Sequence, residues 1–142
     1  MTTSFKGKAI RTDADLLARW RELMGEGGFG RRCLWLIFLN ARGRQADLVM
    51  PVDEIPMRPD PQEIAGIARF IAMMRDQVGV AEVPLLLSRP GPSEITENDR
   101  RWAIALTDAL CDQQPRWPIH LATKNRVQVF APDDLIALDP GA

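Results

Sequence analysis

The stretch that decides the fold is Leu85–Asp99, which reads LLLSRPGPSEITEND. It begins with an apolar segment of strand length and continues into a Pro/Gly turn. Its last four residues, Thr96–Asp99, have the spacing of a helix capping box with Asp at the third helical position. In sheet proteins, functional groups are often displayed where a strand leads through a loop into a helix. The stretch therefore predicts a strand, a loop and a capped helix, and the loop is the first place to look for a site.

Helices are predicted in three places from capping signals and from apolar residues at spacings of three and four. The first covers Asp13–Met24 and follows the capping-box residue Thr12. The second begins at Pro61, directly after the N-cap residue Asp60, and ends at Gly79. The third begins after Thr96 and continues to about Gln113. Each helix has one apolar face, so each is expected to cover a sheet.

Strands are predicted in five segments. The first is apolar throughout, which is typical of an interior strand buried on both faces. The second returns antiparallel beside it after a polar turn, and the last two form a closing hairpin. A final helical turn is expected from Ala131. The five segments are Cys33–Leu39, Ala46–Met50, Val83–Leu87, Trp117–Ala122 and Arg126–Phe130.

These elements predict a single α/β (α+β) domain with a mixed, mostly antiparallel sheet flanked by about three helices. A chain of 142 residues with 46% hydrophobic residues is long enough to bury one core. We assign residues 1–142 to one domain, with 1–30 as an N-terminal helix and Gly-rich connection and 31–138 as the core. Residues 51–61, although rich in proline, are interpreted as a connection within this domain.

Composition argues against several classes of partner. Eighteen basic and nineteen acidic side chains leave a formal charge of -1, so nucleic acid is not an expected partner. No apolar run approaches the length of a membrane span, and a cytoplasmic protein without membrane contact is expected. Cys33 and Cys111 form neither a ligand pair nor a disulfide framework, so both are predicted to be core thiols in a reducing compartment.

Three local patterns suggest binding or catalysis, but each has a simpler explanation. The glycines of 25–30 follow a helix and lack a phosphate-loop lysine, which indicates a helix stop and a turn. The adjacent carboxylates of Asp53 and Glu54 would point to opposite faces of a strand. Arginines flank the predicted first hairpin at both ends, where they would form a solvated rim or contact phosphate. These arginines are Arg31, Arg32, Arg42 and Arg44.

The order of elements resembles the JAB/MPN (JAMM) metalloprotease-like domain, in particular its bacterial RadC-like branch. In that branch an apolar strand ending in Leu-Asn precedes a Pro-Arg-Glu-Ile-like helix start, to which Leu39–Asn40 and Pro61–Ile64 are similar. The family then has His-x-His-Pro, a Gly/Pro turn and Ser-x-x-Asp. Leu87–Pro90 and Thr96–Asp99 take these places here. The resemblance covers most of the chain beyond residue 31 and implies the cytidine-deaminase-like architecture of that family.

The same resemblance implies a zinc site held by the two histidines and the Asp of the motif, with an upstream Glu acting on bound water. Here Leu87 and Arg89 take the histidine positions, and only Asp99 matches a ligand. Asp99 is equally explained as a helix-capping carboxylate. The chain has a single histidine, His120, near the closing strands. We therefore expect no metal, no other cofactor and no metal-dependent hydrolase activity.

Two functional hypotheses follow. The first is a non-catalytic JAB/MPN-like domain with an interaction or scaffold role, which binds a protein partner or forms a homodimer. Phe29 and Trp117 are its candidate contact residues. The second is a small-anion or ligand-binding site, or an enzymatic site without zinc, in the vestigial pocket around Arg89, although this arginine could instead pair with a surface acid. The candidate residues of that pocket are Ser88, Arg89, Ser93, Thr96 and Asp99.

A nucleophilic triad of His120, Asp99 and either Ser88 or Ser93 can be drawn from the same residues. It is not expected, because His120 lies in a strand-like segment with a predicted core or edge role. The sequence therefore leaves interaction and ligand binding as the two open classes of function.

Overall fold

A computed structural model of the protein describes residues 8–24, 31–77, 79–111, 117–124 and 126–135. In this part of the chain, three α-helices, a five-stranded sheet and one short 3-10 helix form a single α+β domain, which confirms the predicted fold class. The helices are α1 (Asp13–Met24), α2 (Pro61–Gln77) and α3 (Glu97–Ala109), and the 3-10 helix is Pro132–Leu135. The strands are β1 (Cys33–Leu39), β2 (Gln45–Asp53), β3 (Leu85–Ser88), β4 (His120–Thr123) and β5 (Arg126–Val129).

The sheet has the strand order β2-β1-β3-β4-β5. β1 pairs antiparallel with both β2 and β3, and β5 pairs antiparallel with β4. Only β3 and β4 are parallel, and parallel neighbours need a crossover connection, which contains α3 here. The sheet is therefore mixed and mostly antiparallel, as predicted. The connection also places the end of β3 close to the start of α3, where the candidate loop lies.

Helices cover both faces of the sheet. On one face, α2 and α3 pack against β1 side chains such as Leu34 and Leu36. On the other face, Trp20 of α1 belongs to a second cluster that includes Ile37 and Leu39 of the same strand. Successive residues of a strand point to opposite faces, so an apolar run is what a strand between two helical layers requires. The predicted interior position of β1 is confirmed.

Several element boundaries differ from the prediction, and one of them is the start of β4, which begins at His120 rather than at Trp117. β2 extends to Asp53, so Pro51 lies inside a strand that had been predicted to stop at Met50. Proline is tolerated there because β2 is an edge strand, where a missing N–H need not interrupt a ladder. β3 begins two residues later than predicted and includes Ser88. α3 ends at Ala109, earlier than the predicted Gln113.

The two cysteines have different environments. Cys33 is buried in β1 as predicted, and burial, with the Asp53 carboxylate nearby, raises the pKa of its thiol to about 12. A thiol with that pKa is protonated and unreactive near neutral pH. The prediction of a core position for Cys111 is wrong, because Cys111 is exposed. It follows Leu110, the C-cap residue and the last buried residue of that segment. The predicted Gly-rich connection falls outside the described residues.

Candidate functional site

The candidate loop is organised around a buried ion pair between Arg89 and Asp99. Arg89 follows the last residue of β3, and its backbone N–H donates to the carbonyl of Ala122 at 3.1 Å. The Arg89 side chain is 5% exposed and that of Asp99 is 3% exposed. Arg89 Nη2 lies 2.7 Å from Asp99 Oδ2, and Arg89 Nε lies 2.8 and 2.9 Å from the two carboxylate oxygens. The sequence suggested that Arg89 could pair with an acid at the surface. Its acidic partner is Asp99, which is buried.

The remaining guanidinium donors bind the backbone of the loop itself. Arg89 Nη1 donates to the carbonyl oxygens of Pro90 at 3.0 Å and Pro92 at 2.8 Å. Arg89 Nη2 donates to the carbonyl of Glu94 at 2.8 Å. A guanidinium has five N–H donors, and each has an acceptor inside the protein here. The loop therefore folds around Arg89, and this geometry leaves the guanidinium no unused donor for a ligand.

Gly91 allows the chain to make this tight turn around the arginine. Its φ of +97° is a conformation that side chains with a Cβ rarely adopt. A Cβ added at this position would also lie 3.5 Å from Arg89 Nη1, in van der Waals contact. The Pro-Gly-Pro sequence thus serves a backbone turn that directs carbonyl oxygens toward a buried cation.

Asp99 also caps α3. Its backbone N–H donates to Thr96 Oγ1 at 3.2 Å, and its Oδ2 accepts from the Thr96 backbone N–H at 2.9 Å. These reciprocal bonds form the predicted capping box, which is confirmed. The Asp99 carboxylate therefore neutralises Arg89 and also caps the first turn of α3. These two structural roles explain why an aspartate stands at this position.

The capping role of Thr96 gives a first prediction. Thr96→Ala is expected to lower the free energy of unfolding by about 1 kcal/mol, because the backbone N–H of Asp99 loses its acceptor. Thr96→Ser keeps a hydroxyl oxygen and should retain most of the stability. Urea denaturation of the two variants measures the difference. A Thr96→Ala protein as stable as the wild type would show that this cap contributes nothing.

The two serines of the proposed pocket do not join Arg89. Ser88 is buried, accepts from Trp35 Nε1 at 3.0 Å and shares the sheet face of Leu86, in the α1-side core. Its hydroxyl lies 3.2 Å from the Arg31 carbonyl oxygen and 3.3 Å from that of Cys33. Ser88 thus cross-links strands rather than facing the loop.

Ser93 is held through its backbone. Its carbonyl oxygen accepts from the side-chain amide of Gln128 in β5, which ties the loop to the far edge strand. Of the five predicted pocket residues, the structure therefore brings together Arg89, Thr96 and Asp99. The Ser88 side chain lies on the α1 side of the sheet, away from Arg89. Ser93 contributes a backbone carbonyl, which binds Gln128.

The two residues that the resemblance compares with zinc-binding histidines are Leu87 and Arg89, and Leu87, like Arg89, has a structural role. Leu87 is buried in the core beneath α2 and α3. His120 shares the sheet face of Ala122, on the α1 side, whereas Asp99 belongs to α3 on the other side. A triad that joins His120 and Asp99 is therefore not formed. The residues that the structure describes include no cluster of three or more His, Cys, Asp or Glu side chains able to hold a metal ion.

His120 is a buried, neutral imidazole. Its residue surface is 1% exposed, and its Nδ1 has no hydrogen-bond partner among the described residues. Burial lowers the pKa of His120 to about 4, and the nearby Pro118 backbone only partly offsets this effect. A histidine with that pKa is uncharged at neutral pH and is a poor candidate for a general base.

The other predicted polar residues are mostly at the surface. Arg31 Nη2 lies 3.1 Å from Asp53 Oδ1 in an exposed ion pair, which accounts for one of the two adjacent carboxylates. Glu54 has a φ of +58° and follows Asp53, the last residue of β2. Arg42 and Arg44 are exposed in the β1–β2 turn. These residues are therefore better described as a solvated rim around the first hairpin than as side chains that point toward one common site.

Trp117 is the one candidate contact residue that can be located. It is half-buried, and its Nε1 donates to the carboxylate of Glu82. Phe29 falls outside the described residues. Because the Trp117 ring is half-buried and hydrogen-bonded to Glu82, it is poorly placed to insert into a partner protein.

Two apolar depressions were missed by sequence reasoning. One, here called the α2–α3 groove, has a volume of about 510 Å³. It is lined by Pro59, Pro61, Ile64, Ala65, Ala105, Asp108 and Ala109. The other, here called the turn cavity, has a volume of about 350 Å³. It is lined by Phe38, Leu39, Asn40, Arg44, Gln45, Ala46, Leu48, Met74, Gly79 and Val80. Apolar spacing identifies such residues as helix or strand faces but cannot tell which of them stay uncovered.

Comparison of the sequence with protein families and with curated proteins found no match. The likeness to the JAB/MPN family thus rests on the motifs quoted above. Across the described ranges, each helix is too short or too polar to cross a bilayer.

Proposed function

We propose that this chain is a non-catalytic domain of the JAB/MPN type that acts by binding a protein partner or a second copy of itself. The observation that supports this proposal is the Arg89–Asp99 pair at the position of the family's metal loop. Arg89 offers donors but no lone pair to a metal, and Leu87 offers neither. Side chains that would perform chemistry in the family are used here to hold a loop and a helix start.

An anion site around Arg89 is the less favoured function. An incoming phosphate or carboxylate would have to replace the carbonyl oxygens of Pro90, Pro92 or Glu94, or compete with Asp99. Each replaced carbonyl would then need a new donor, because a buried acceptor left unpaired costs about 1–3 kcal/mol. The pair is also almost fully buried, so an anion would have no open path to it.

The α2–α3 groove is the surface that we propose for the partner. Its lining is apolar, and the short side chains of Ala65, Ala105 and Ala109 leave room between the helices. Met57, two residues before Pro59, is 59% exposed, which adds an unusually exposed apolar side chain at this end of the domain. Asp108 is the acidic residue of the lining. The fitting partner is therefore a segment with apolar side chains for the groove and a basic residue opposite Asp108.

A charge placed in the groove tests this proposal. Ala65 and Ala72 are both exposed on α2, but only Ala65 lines the groove. Ala65→Arg is expected to weaken partner binding or self-association about tenfold or more, since it blocks the groove and repels a basic residue, whereas Ala72→Arg should bind as the wild type does. Sedimentation velocity over a range of concentrations measures self-association. Quantitative affinity capture with the three proteins measures binding to other partners.

The result that supports the proposal is specific to the groove. One protein, or a second copy of this chain, must be retained by the wild type and by Ala72→Arg and lost with Ala65→Arg. Thermal unfolding of both variants controls for folding. A monomer at every concentration, together with no captured protein that distinguishes the two variants, would overturn the proposal.

A further inference from the structure

The layer between α1 and the sheet contains two buried polar atoms without a hydrogen-bond partner among the described residues. They are Trp20 Nε1, on α1, and His120 Nδ1, on β4. Trp20 is fully buried, and His120 is 1% exposed. A buried polar atom that is left unpaired lowers stability, and this penalty is relieved when water reaches the atom. Both atoms therefore favour a state in which α1 has left the sheet.

The surroundings of His120 leave an imidazolium poorly stabilised while α1 is in place. On the sheet, its cross-strand neighbours are Leu86 of β3 and Val129 of β5, which are both apolar. Among the described residues, the charged groups that act on the imidazole are Asp13 and Arg21 of α1. Asp13 favours the proton and Arg21 disfavours it. Burial outweighs the effect of Asp13, so the pKa of His120 is lowered to about 4.

The contacts of α1 allow it to leave without taking the sheet apart. The helix contributes no strand, so its departure removes no backbone ladder. It buries two apolar side chains completely, Leu16 and Trp20, and its Arg19 binds the side chain of Gln45 in β2. The larger core cluster lies on the opposite face, beneath α2 and α3. Opening of α1 alone thus exposes less apolar surface than global unfolding does.

We propose that α1 is a pH-sensitive cover, which undocks from the sheet in mild acid and exposes His120 while the core beneath α2 and α3 stays folded. In the undocked state the imidazole reaches water and binds a proton with its ordinary pKa of 6.5. The docked state binds that proton only near pH 4. Docking is therefore unaffected well above pH 6.5 and weakens as the pH falls from 6.5 toward 4. The proposal does not depend on the α2–α3 groove, so either can fail without the other.

Hydrogen exchange of the full-length chain, followed at single amides at pH 7 and pH 5, tests this proposal. Protection factors correct for the intrinsic pH dependence of exchange. The amides of α1 are expected to be less protected than those of α2 and α3, because α1 opens without global unfolding. Their protection should fall roughly twentyfold from pH 7 to pH 5, which is the effect of one proton bound with these two pKa values.

Replacement of His120, the only histidine of the chain, identifies the group that binds the proton. His120→Leu and His120→Phe should both remove the fall in α1 protection, and the protection of α2 and α3 shows that each variant is folded. Asp15, which accepts from the backbone N–H groups of Arg11 and Thr12 at the start of α1, stays ionised at pH 5, because burial does not raise its pKa above the ordinary value.

The proposal is supported when α1 is less protected than α2 and α3 and when its fall in protection disappears in the folded His120 variants. It is overturned by any of three results. These are equal protection of α1, α2 and α3, an α1 protection that is the same at pH 7 and pH 5, and a fall that persists without His120.

Discussion

Replacing Arg89 with methionine is expected to lower the free energy of unfolding by roughly 3–5 kcal/mol, because the Asp99 carboxylate would remain buried without its counterion. The two side chains are 5% and 3% exposed, so water cannot readily take over the lost contacts. The carbonyl oxygens of Pro90, Pro92 and Glu94 would lose their donor at the same time. Urea denaturation at neutral pH measures the loss.

The protein contains a matched control for this experiment. Arg31 pairs with Asp53 at 3.1 Å, but these side chains are 61% and 46% exposed. Arg31→Met should therefore cost no more than about 1 kcal/mol. In the double variant Arg89→Met/Asp99→Asn, the buried negative charge is removed and the amide oxygen can still accept from Thr96 N–H, so part of the loss should be recovered. Equal effects of Arg89→Met and Arg31→Met would show that the buried pair does not hold the loop.

The same variants test the alternative function. If Arg89 binds an anion, sulfate or phosphate should stabilise the wild type more than Arg89→Met, in a saturable manner. We expect no such difference, since the donors of Arg89 are occupied within the loop. A saturable stabilisation that disappears with Arg89→Met would instead favour the anion site over a purely structural role.

The capping-box spacing predicted the start of α3 correctly. The hydrogen-bond partners of Arg89 could not be predicted from the sequence. A capping box depends on residues three apart, so Thr96 and Asp99 could be paired by spacing alone. The contacts of Arg89 depend on how the turn at Gly91 directs successive carbonyls, which is a property of the folded loop. The sequence could therefore suggest an acid for Arg89 but not that the acid would be the capping residue, or that it would be buried.

The other differences between the prediction and the structure have their causes in sheet order and in the positions of the helix ends. Pro51 looked like the end of a strand, and only the edge position of β2 makes it acceptable inside one. Cys111 was given a core position because α3 was extended too far, and helix ends are the least certain feature of such patterns. Uncovered positions such as Leu48 are apolar like their buried neighbours. Their exposure depends on where α2 ends relative to the sheet, so the turn cavity could not be predicted.

His120 is expected to make the fold sensitive to acid. Its folded-state pKa is about 4, below the ordinary value of 6.5, because burial disfavours the imidazolium. Well above pH 6.5 the histidine is neutral in both states and has no effect. Between pH 6.5 and 4 the unfolded chain binds a proton that the folded chain does not, so stability falls as the pH falls. Integrated to pH 4, this difference amounts to about 3 kcal/mol.

His120→Leu isolates that contribution, because leucine can fill a buried position and does not titrate. The groups that act electrostatically on the imidazole are Asp13 and Arg21 of α1, and both remain in the variant. Urea denaturation at pH 7, 6, 5 and 4 should therefore show a wild-type stability that declines more steeply than that of His120→Leu, by up to about 1.4 kcal/mol per pH unit. The absolute stability of the variant at pH 7 does not enter this comparison, since only the difference in slope reports the proton. Parallel curves for the two proteins would mean that His120 titrates alike in both states, and hence that it is not held neutral beneath α1.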